Sequence, residues 1–131
     1  MNTTQKGDVT QAMVTARFLR LGFVVLKPLS ESSRYDLAID RGGGFERVQC
    51  KTGRLRKGSV NFDTCSKSVP HLGGGRKSYV GEIELFAIYC PETDECYLVP
   101  MASASRFLGV LRVDPLKRET KGVRFAKDFV I

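Results

Sequence analysis

Apolar positions near the N-terminus recur at intervals of three and four residues, which is typical of an amphipathic helix. The apolar members of this set are Val9, Ala12, Met13, Ala16 and Leu19. They predict a helix over residues 8–21 that Thr3 or Thr4 could cap and that Gly22 could end. We expect this apolar stripe to pack against the rest of the protein.

Beyond the helix the pattern changes to short apolar runs and alternation, which predict strands. Two of them, Tyr35–Asp40 and Phe45–Lys51, would form a hairpin. Further strands are predicted in the stretches FVVLKP (23–28), SVNFDT (59–64), IELFAIYC (83–90), CYLVPM (96–101) and LGVLRV (108–113). We expect FVVLKP to be buried and IELFAIYC to be central, and residues 64 to 82 to form a long loop.

A helix followed mainly by strands indicates an α/β fold. We expect a mixed central β-sheet with flanking helices, and the N-terminal helix should pack on one face of this sheet. The chain of 131 residues is long enough for one hydrophobic core. The sequence shows no internal repeat and no domain boundary, so we expect residues 1–131 to form a single domain.

The charge balance favours a polyanionic partner, nucleic acid above all. Lys and Arg number 21 against 14 Asp and Glu, a net charge of +7. The alternative is a basic protein without such a partner. No apolar run is long enough to span a membrane, and the N-terminus lacks the apolar core of a signal peptide, so we expect no membrane partner and a cytoplasmic location.

Cysteine and histidine usage excludes several classes of site. The four cysteines form no C-x-x-C pair, which disfavours structural zinc. His71 is the only histidine, which disfavours sites built on several histidines, and no G-x-S-x-G motif is present.

The predicted hairpin places three polar side chains together. If the loop is the four residues between Asp40 and Phe45, then Asp36 lies opposite Gln49. Opposed residues share a sheet face, and Lys51 shares it too because side chains alternate. A slip of one residue would break this arrangement. The side chains expected on the other face, in the core, are those of Tyr35, Leu37, Ile39, Val48 and Cys50.

These three side chains suit metal-assisted hydrolysis of a phosphodiester. Mg²⁺, or another divalent cation, prefers oxygen ligands such as carboxylates, carbonyls and waters. Asp36 supplies a carboxylate, Gln49 an amide oxygen and Cys50 a backbone carbonyl, while Lys51 could act on the attacking water and offset negative charge. The alternative is an exposed hairpin face where the same side chains only meet solvent.

Several stretches together resemble the PD-(D/E)XK nuclease superfamily, and more narrowly its group I intron-encoded homing endonucleases of bacterial and cyanobacterial type. The stretches are KGDVTQA, RYDLAID, RVQCKTGR, RKSYVGEIELFAIYCPE, YLVP and GVRFAKDF. The resemblance implies that Asp36 is the motif aspartate and Lys51 the motif lysine. It also implies that Gln49 is a variant ligand, because this branch has glutamine where Glu or Asp is usual.

Gln11 departs from the family pattern. The resemblance implies a metal-site glutamate at this helix position, so Gln11 would join the catalytic and metal-binding set without its charge. We therefore expect weak metal binding and impaired catalysis. Our hypothesis is that Gln11 is an engineered change that traps uncleaved DNA, and the alternative is a natural glutamine tolerated on a helix surface.

Basic residues near loops are candidates for contact with double-stranded DNA. They are Arg34, Arg54, Arg56, Lys57, Arg76 and Lys77. A two-stranded ribbon over residues 52 to 63 would fit the major groove, where arginine can pair with guanine. The alternative is a solvated charged surface.

The resemblance also implies a homo-oligomer. A chain this small would need a dimer or tetramer to cut both strands of a long pseudo-palindromic site. The tail VRFAKDFVI and the LGVLRV strand are candidate interfaces, unless the tail packs on its own domain. Two other functions stay open: a structure-specific nuclease of the Holliday-junction-resolvase type, and a DNA-binding module that has lost catalysis.

Overall fold

The computed structural model describes residues 1–67 and 75–131. Its helix, α1 (Thr3–Arg20), begins five residues before the predicted start. Asn2, rather than a threonine, is the N-cap: its side chain accepts from the Gln5 N–H, and the Gln5 side chain accepts from the Asn2 N–H, both at 2.9 Å. This reciprocal capping box satisfies two amide groups that a helix start leaves unpaired. Gly22 follows the helix with φ +82°, as the predicted stop requires.

The predicted apolar stripe on α1 is wrong. The side chains buried against the sheet are Thr10, Val14 and Phe18, spaced four residues apart. By contrast Val9 is 40% exposed and Leu19 58% exposed. Apolar residues occur on both faces of the helix, so their count did not identify the buried face. The aromatic ring of Phe18, fully buried, belongs to the face that packs.

The described residues also form ten strands. They are β1 (Val24–Leu26), β2 (Leu37–Asp40), β3 (Phe45–Thr52), β4 (Arg54–Arg56), β5 (Ser59–Asp63), β6 (Cys65–Lys67), β7 (Arg76–Ser78), β8 (Leu85–Cys90), β9 (Glu95–Pro100) and β10 (Leu108–Arg112). Five of these make the main sheet, in the order β1-β2-β3-β8-β9. The β3–β8 pair is parallel and the other pairs are antiparallel, so the predicted mixed sheet is confirmed.

The position of two strands differs from the prediction. β1 is an edge strand and Val24 is 59% exposed, so this strand is not buried. β8 is buried at every position, as its apolar run predicts, but β3 is the middle strand and β8 is its neighbour.

The remaining strands form two smaller sheets. β4, β5 and β10 make a three-stranded antiparallel sheet, and β6 pairs with β7. The predicted loop over residues 64 to 82 therefore contains two strands. The part of it that includes His71, residues 68–74, lies outside the described residues.

Hydrophobic cores lie on both faces of the main sheet. On one face α1 covers a cluster that includes Leu37, Ile39 and Val48. On the other face the β4-β5-β10 sheet covers a second cluster with Phe62 and Phe86. Within the described residues α1 is the single α-helix, so the second face is covered by strands rather than by a further flanking helix.

The C-terminal tail packs on its own domain. The Leu98 N–H donates to the Phe129 carbonyl at 2.9 Å, and the Ile131 N–H donates to the Cys96 carbonyl at 3.1 Å. The tail thereby pairs with the exposed edge of β9, and Phe129 contacts the second core. Across the described part of the chain, no helix is long and apolar enough to span a membrane.

Candidate active site

The hairpin register predicted from the sequence is confirmed for β2 and β3. Asp40 pairs with Phe45 and Leu37 pairs with Val48. The loop between the strands uses Gly42 and Gly44 at φ +108° and +102°, a conformation that side chains disfavour. Local geometry therefore sets which residues meet across the hairpin.

Asp36 stands just before β2 and is anchored on β3. Its N–H donates to the Val48 carbonyl at 2.9 Å, and its carboxylate Oδ2 accepts from the Cys50 N–H at 3.0 Å. Burial raises the pKa of the Asp36 carboxyl, opposed by the Cys50 N–H and by the charges of Lys51 and Lys27. Desolvation thus outweighs the partners that favour the ionised form.

The side chain and the main chain of Cys50 have different surroundings. Its side chain packs in the core beneath α1, where burial raises the pKa of the thiol, so the sulfur stays protonated and unsuited to a metal. The amide and carbonyl of one strand residue point to the same strand edge. Because the Cys50 N–H meets Asp36, the Cys50 carbonyl faces the edge where Asp36 lies.

Tyr35 was predicted to share the core face of Leu37, and this prediction is wrong. It precedes β2, where strand alternation does not yet apply, and it packs against the second core on the opposite side of the sheet. The side chains of Leu37, Ile39, Val48 and Cys50 lie on the predicted face.

Lys51 is held by the β6–β7 region. Its Nζ lies 3.1 Å from the Tyr79 hydroxyl and 3.5 Å from the Cys65 carbonyl oxygen. The same Nζ is 4.9 Å from the centre of the Tyr79 ring. Tyr79 belongs to the family-like stretch RKSYVGEIELFAIYCPE, but the sequence did not predict its contact with Lys51, because Tyr79 fell in a predicted loop and Lys51 lies 28 positions earlier in the chain.

A cavity of about 300 Å³ brings Gln11 and Asp36 together. Lys27, Glu31 and Ser33 are also in its walls. Gln49 and Lys51 do not line this cavity. They are separated by one residue on β3, so their side chains leave the strand on the same face. Cavities of about 660 and 650 Å³ lie elsewhere, beside the start of α1 and beside Met101.

Within residues 1–67 and 75–131 no three His, Cys, Asp or Glu side chains cluster as a metal site. The reason is visible in the sequence: two of the candidate ligands, Gln11 and Gln49, are amides. Asp36 is left as the acidic member of the predicted ligand set.

The predicted DNA-binding residues fall into two groups. The exposed ones are Arg54 and Arg56 on β4, Lys57 in the following turn, and Arg76 and Lys77 on β7. Arg54 pairs with Asn61 and Arg56 with Ser59, so both arginines project on the sheet face opposite to that of buried Val60.

Arg34, in contrast, is half-buried and its guanidinium is engaged by other residues of the chain. Its guanidinium donates to Glu82 at 3.1 Å, to the Ser66 hydroxyl at 2.8 Å and to the Ser78 carbonyl at 3.1 Å. Its Cζ lies 4.2 Å from the centre of the Tyr79 ring. A DNA contact by Arg34 stays a prediction, and what the structure shows is a set of contacts with neighbouring residues, including the Tyr79 ring.

Comparison with known proteins places this geometry in a family. The chain is 30% identical over 88 residues to Protein 5.3 of Escherichia phage T7, and the aligned stretch covers 66% of this chain and 71% of the phage protein. The fold of this chain matches the solved structure of a bacterial homing endonuclease, I-Ssp6803I, with a TM-score of 0.79 and 22% identity. That match covers 99% of this chain and 89% of the other. The model of the PD-(D/E)XK endonuclease family matches residues 1–131, and this chain therefore belongs to that family.

Proposed function

We propose that this chain is a metal-dependent endonuclease that hydrolyses phosphodiester bonds in double-stranded DNA at a specific sequence, as a homing endonuclease does. The observation that carries the proposal is the docking of Asp36 on the Cys50 N–H at 3.0 Å, one residue from Lys51. This contact supports the proposal because Cys50 is the neighbour of Lys51 on β3, the middle strand of the sheet.

The donor atoms fit a hard divalent cation. Asp36 and Gln11, which line one cavity, and the Cys50 carbonyl would hold it. Gln49 does not line that cavity and is proposed as a further ligand from the face of β3 that it shares with Lys51. Mg²⁺ bound there would supply the positive charge that activates water and stabilises a pentacovalent phosphate. Lys51 adds a fixed positive charge where negative charge develops on the phosphate.

The amides at positions 11 and 49 reduce the negative charge of the site. A cation held by one carboxylate and neutral oxygens is bound more weakly than one held by several carboxylates. We propose that Gln11 impairs metal binding and cleavage while leaving the shape of the cavity unchanged. A chain with Gln11→Glu should regain both.

The exposed arginines support DNA as the substrate. Arg54 and Arg56 project from the β4–β5 hairpin, which corresponds to the ribbon predicted to enter the major groove. The net charge of +7 favours the same polyanionic substrate. Lys57, Arg76 and Lys77 would contact phosphates.

We propose a homo-oligomer, a dimer or a tetramer, that cuts a pseudo-palindromic site. The apolar face of α1 that does not pack on the sheet supports it, since Val9, Met13 and Leu19 are 40%, 38% and 58% exposed. Sedimentation of the chain and of Met13→Lys would test this: the parent should be an oligomer and the variant should shift toward the monomer.

A DNA-binding module without catalysis is the second candidate. The observation in its favour is the absence of a cluster of three metal-binding side chains in the described part of the chain. Its distinguishing property is sequence-specific binding that no single substitution converts into cleavage.

The test is cleavage of a randomised duplex library with Mg²⁺, using this chain, Gln11→Glu, and Gln11→Glu with Lys51→Ala. We expect Gln11→Glu to cut one long site, this chain to bind that site with little cutting, and the Lys51→Ala form to be inactive. A four-way junction is included as a competitor. Cleavage of the junction in preference to duplex would favour a resolvase, and binding without cleavage by every form would favour the second candidate.

A further inference from the structure

We propose that Tyr79 is a positioning residue for Lys51, which holds the ammonium group in the orientation that the reaction needs. The inference rests on the proposed function, because Lys51 is assigned a role in cleavage. It starts from the 3.1 Å contact between Lys51 Nζ and Tyr79 Oη. The stretch RKSYVGEIELFAIYCPE, which helps to carry the resemblance to the family, contains Tyr79, but the resemblance implied no role for this residue.

Lysine needs such a partner because its side chain is long and flexible. An ammonium group carries three N–H donors, and immobilising its stem costs conformational entropy. Here one donor meets the Tyr79 hydroxyl and a second meets the Cys65 carbonyl at 3.5 Å. The third donor is left for an oxygen of the substrate or the attacking water.

Tyr79 is itself rigidly held. It is 3% exposed, and its ring packs edge-on against Phe86 with centroids 5.8 Å apart. Its carbonyl accepts from the Glu82 N–H at 2.9 Å. Arg34 lies 4.2 Å from the ring centre and is fixed by Glu82. A phenol held in this way can orient Lys51, whereas an exposed tyrosine would move with it.

The competing explanation is that Tyr79 only fills the core. Tyr79→Phe distinguishes the positioning role from the core role. Phenylalanine keeps the ring, its packing and its contacts with Lys51 and Arg34, and it removes the hydroxyl. A core role predicts that cleavage is unchanged. A positioning role predicts that the chemical step slows while DNA affinity and stability are kept.

Tyr97 offers a matched control. It is 2% exposed, and its hydroxyl donates to the Thr93 hydroxyl at 2.9 Å. Tyr97→Phe therefore removes a comparable buried hydrogen bond at a site that contacts neither Lys51 nor Asp36.

The experiment measures single-turnover cleavage of pre-bound DNA in the Gln11→Glu background. We expect Tyr79→Phe to reduce the rate by about 10–100-fold, as loss of an orienting partner typically does, with DNA Kd and Tm unchanged. Tyr97→Phe should cut at the parent rate.

A second measurement on the free protein needs no activity. In lysine labelled with ¹⁵N at Nζ, the Lys51 signal, identified by its loss in Lys51→Arg, should shift and sharpen in Tyr79→Phe and stay unchanged in Tyr97→Phe. An unchanged signal together with an unchanged cleavage rate would overturn the proposal. If no form cuts DNA, the nuclease function fails, and the Lys51 signal alone decides whether Tyr79 positions this lysine.

Discussion

The Asp36 carboxylate accepts a hydrogen bond from the Cys50 backbone N–H over 3.0 Å. This contact joins the residue before β2 to Cys50 on the middle strand of the sheet, between Gln49 and Lys51. It leaves the second carboxylate oxygen for other partners, and it orients Asp36 without using any side chain of β3. The main chain of β3 therefore orients Asp36.

Asp36→Asn should abolish cleavage and stabilise the fold at neutral pH. Burial raises the pKa of Asp36, so the folded state holds this proton more tightly than the unfolded state does. The resulting stability is present below the ordinary carboxyl pKa and is lost as pH rises through the raised value. At pH 7 the ionised group thus lowers the free energy of unfolding, and asparagine cannot ionise.

Urea unfolding of the parent and Asp36→Asn from pH 3 to pH 8 checks this prediction. The difference in unfolding free energy should be largest at pH 7 and should shrink toward pH 3. In the Gln11→Glu background, Asp36→Asn should lower cleavage by at least about 100-fold, comparable to the loss of a catalytic electrostatic group. In the same background Asp128→Asn, on the surface near the C-terminus, should cut at the rate of Gln11→Glu alone. If the difference in unfolding free energy between the two proteins stayed constant across this pH range, the raised pKa of Asp36 would be contradicted.

Gln11→Glu should tighten binding of a divalent cation. The new carboxylate would line the same cavity as Asp36, and a second negative charge should raise Mn²⁺ affinity by about tenfold or more. Isothermal titration calorimetry measures this directly. Gln5→Glu makes the same chemical change at the capping box and should leave the affinity unchanged. Equal Mn²⁺ affinity for all three proteins would remove Gln11 from the metal site.

Arg54→Ala and Arg56→Ala should each weaken DNA binding. Every phosphate contact that is lost should reduce the slope of log K against log salt by about one. A base contact should instead relax specificity at one position of the target. Arg20→Ala, in the last turn of α1, is the control and should have no effect on either quantity. Fluorescence anisotropy over a series of salt concentrations, with the target and with single-position variants of it, measures the salt slope and the specificity.

Gly53→Ala should destabilise the protein. A Cβ atom there would lie 2.8 Å from Val60 Cγ1 and 2.9 Å from Ile88 Cγ2, both of them in the core. Overpacking of this kind costs about 1–3 kcal/mol in unfolding free energy. Gly7→Ala is the matched control, since nothing lies within 4 Å of its Cβ and alanine favours the helix by about 1 kcal/mol. Thermal denaturation should move Tm in opposite directions for the two variants.

The register of the β2–β3 hairpin was determined by the sequence alone. It depends on a four-residue loop between Asp40 and Phe45 and on the two-residue period of a strand, and both are local properties. That register also predicted that Asp36, Gln49 and Lys51 share a sheet face. Gln49 and Lys51 do share one face of β3, whereas Asp36 precedes β2 and lines a cavity that neither of them lines. The resemblance to the family added Gln11, which the structure brings into one cavity with Asp36.

The tertiary structure decided what depends on distant partners. The buried face of α1 includes Thr10, whose hydroxyl lies 2.6 Å from that of Thr52, 42 positions away. Similarly, Tyr79 meets Lys51 only because β6 and β7 fold back over β3. Periodicity reports which side chains share a face, but it carries no information on which face finds a complementary surface. That choice comes from packing and hydrogen bonds between segments far apart in the chain.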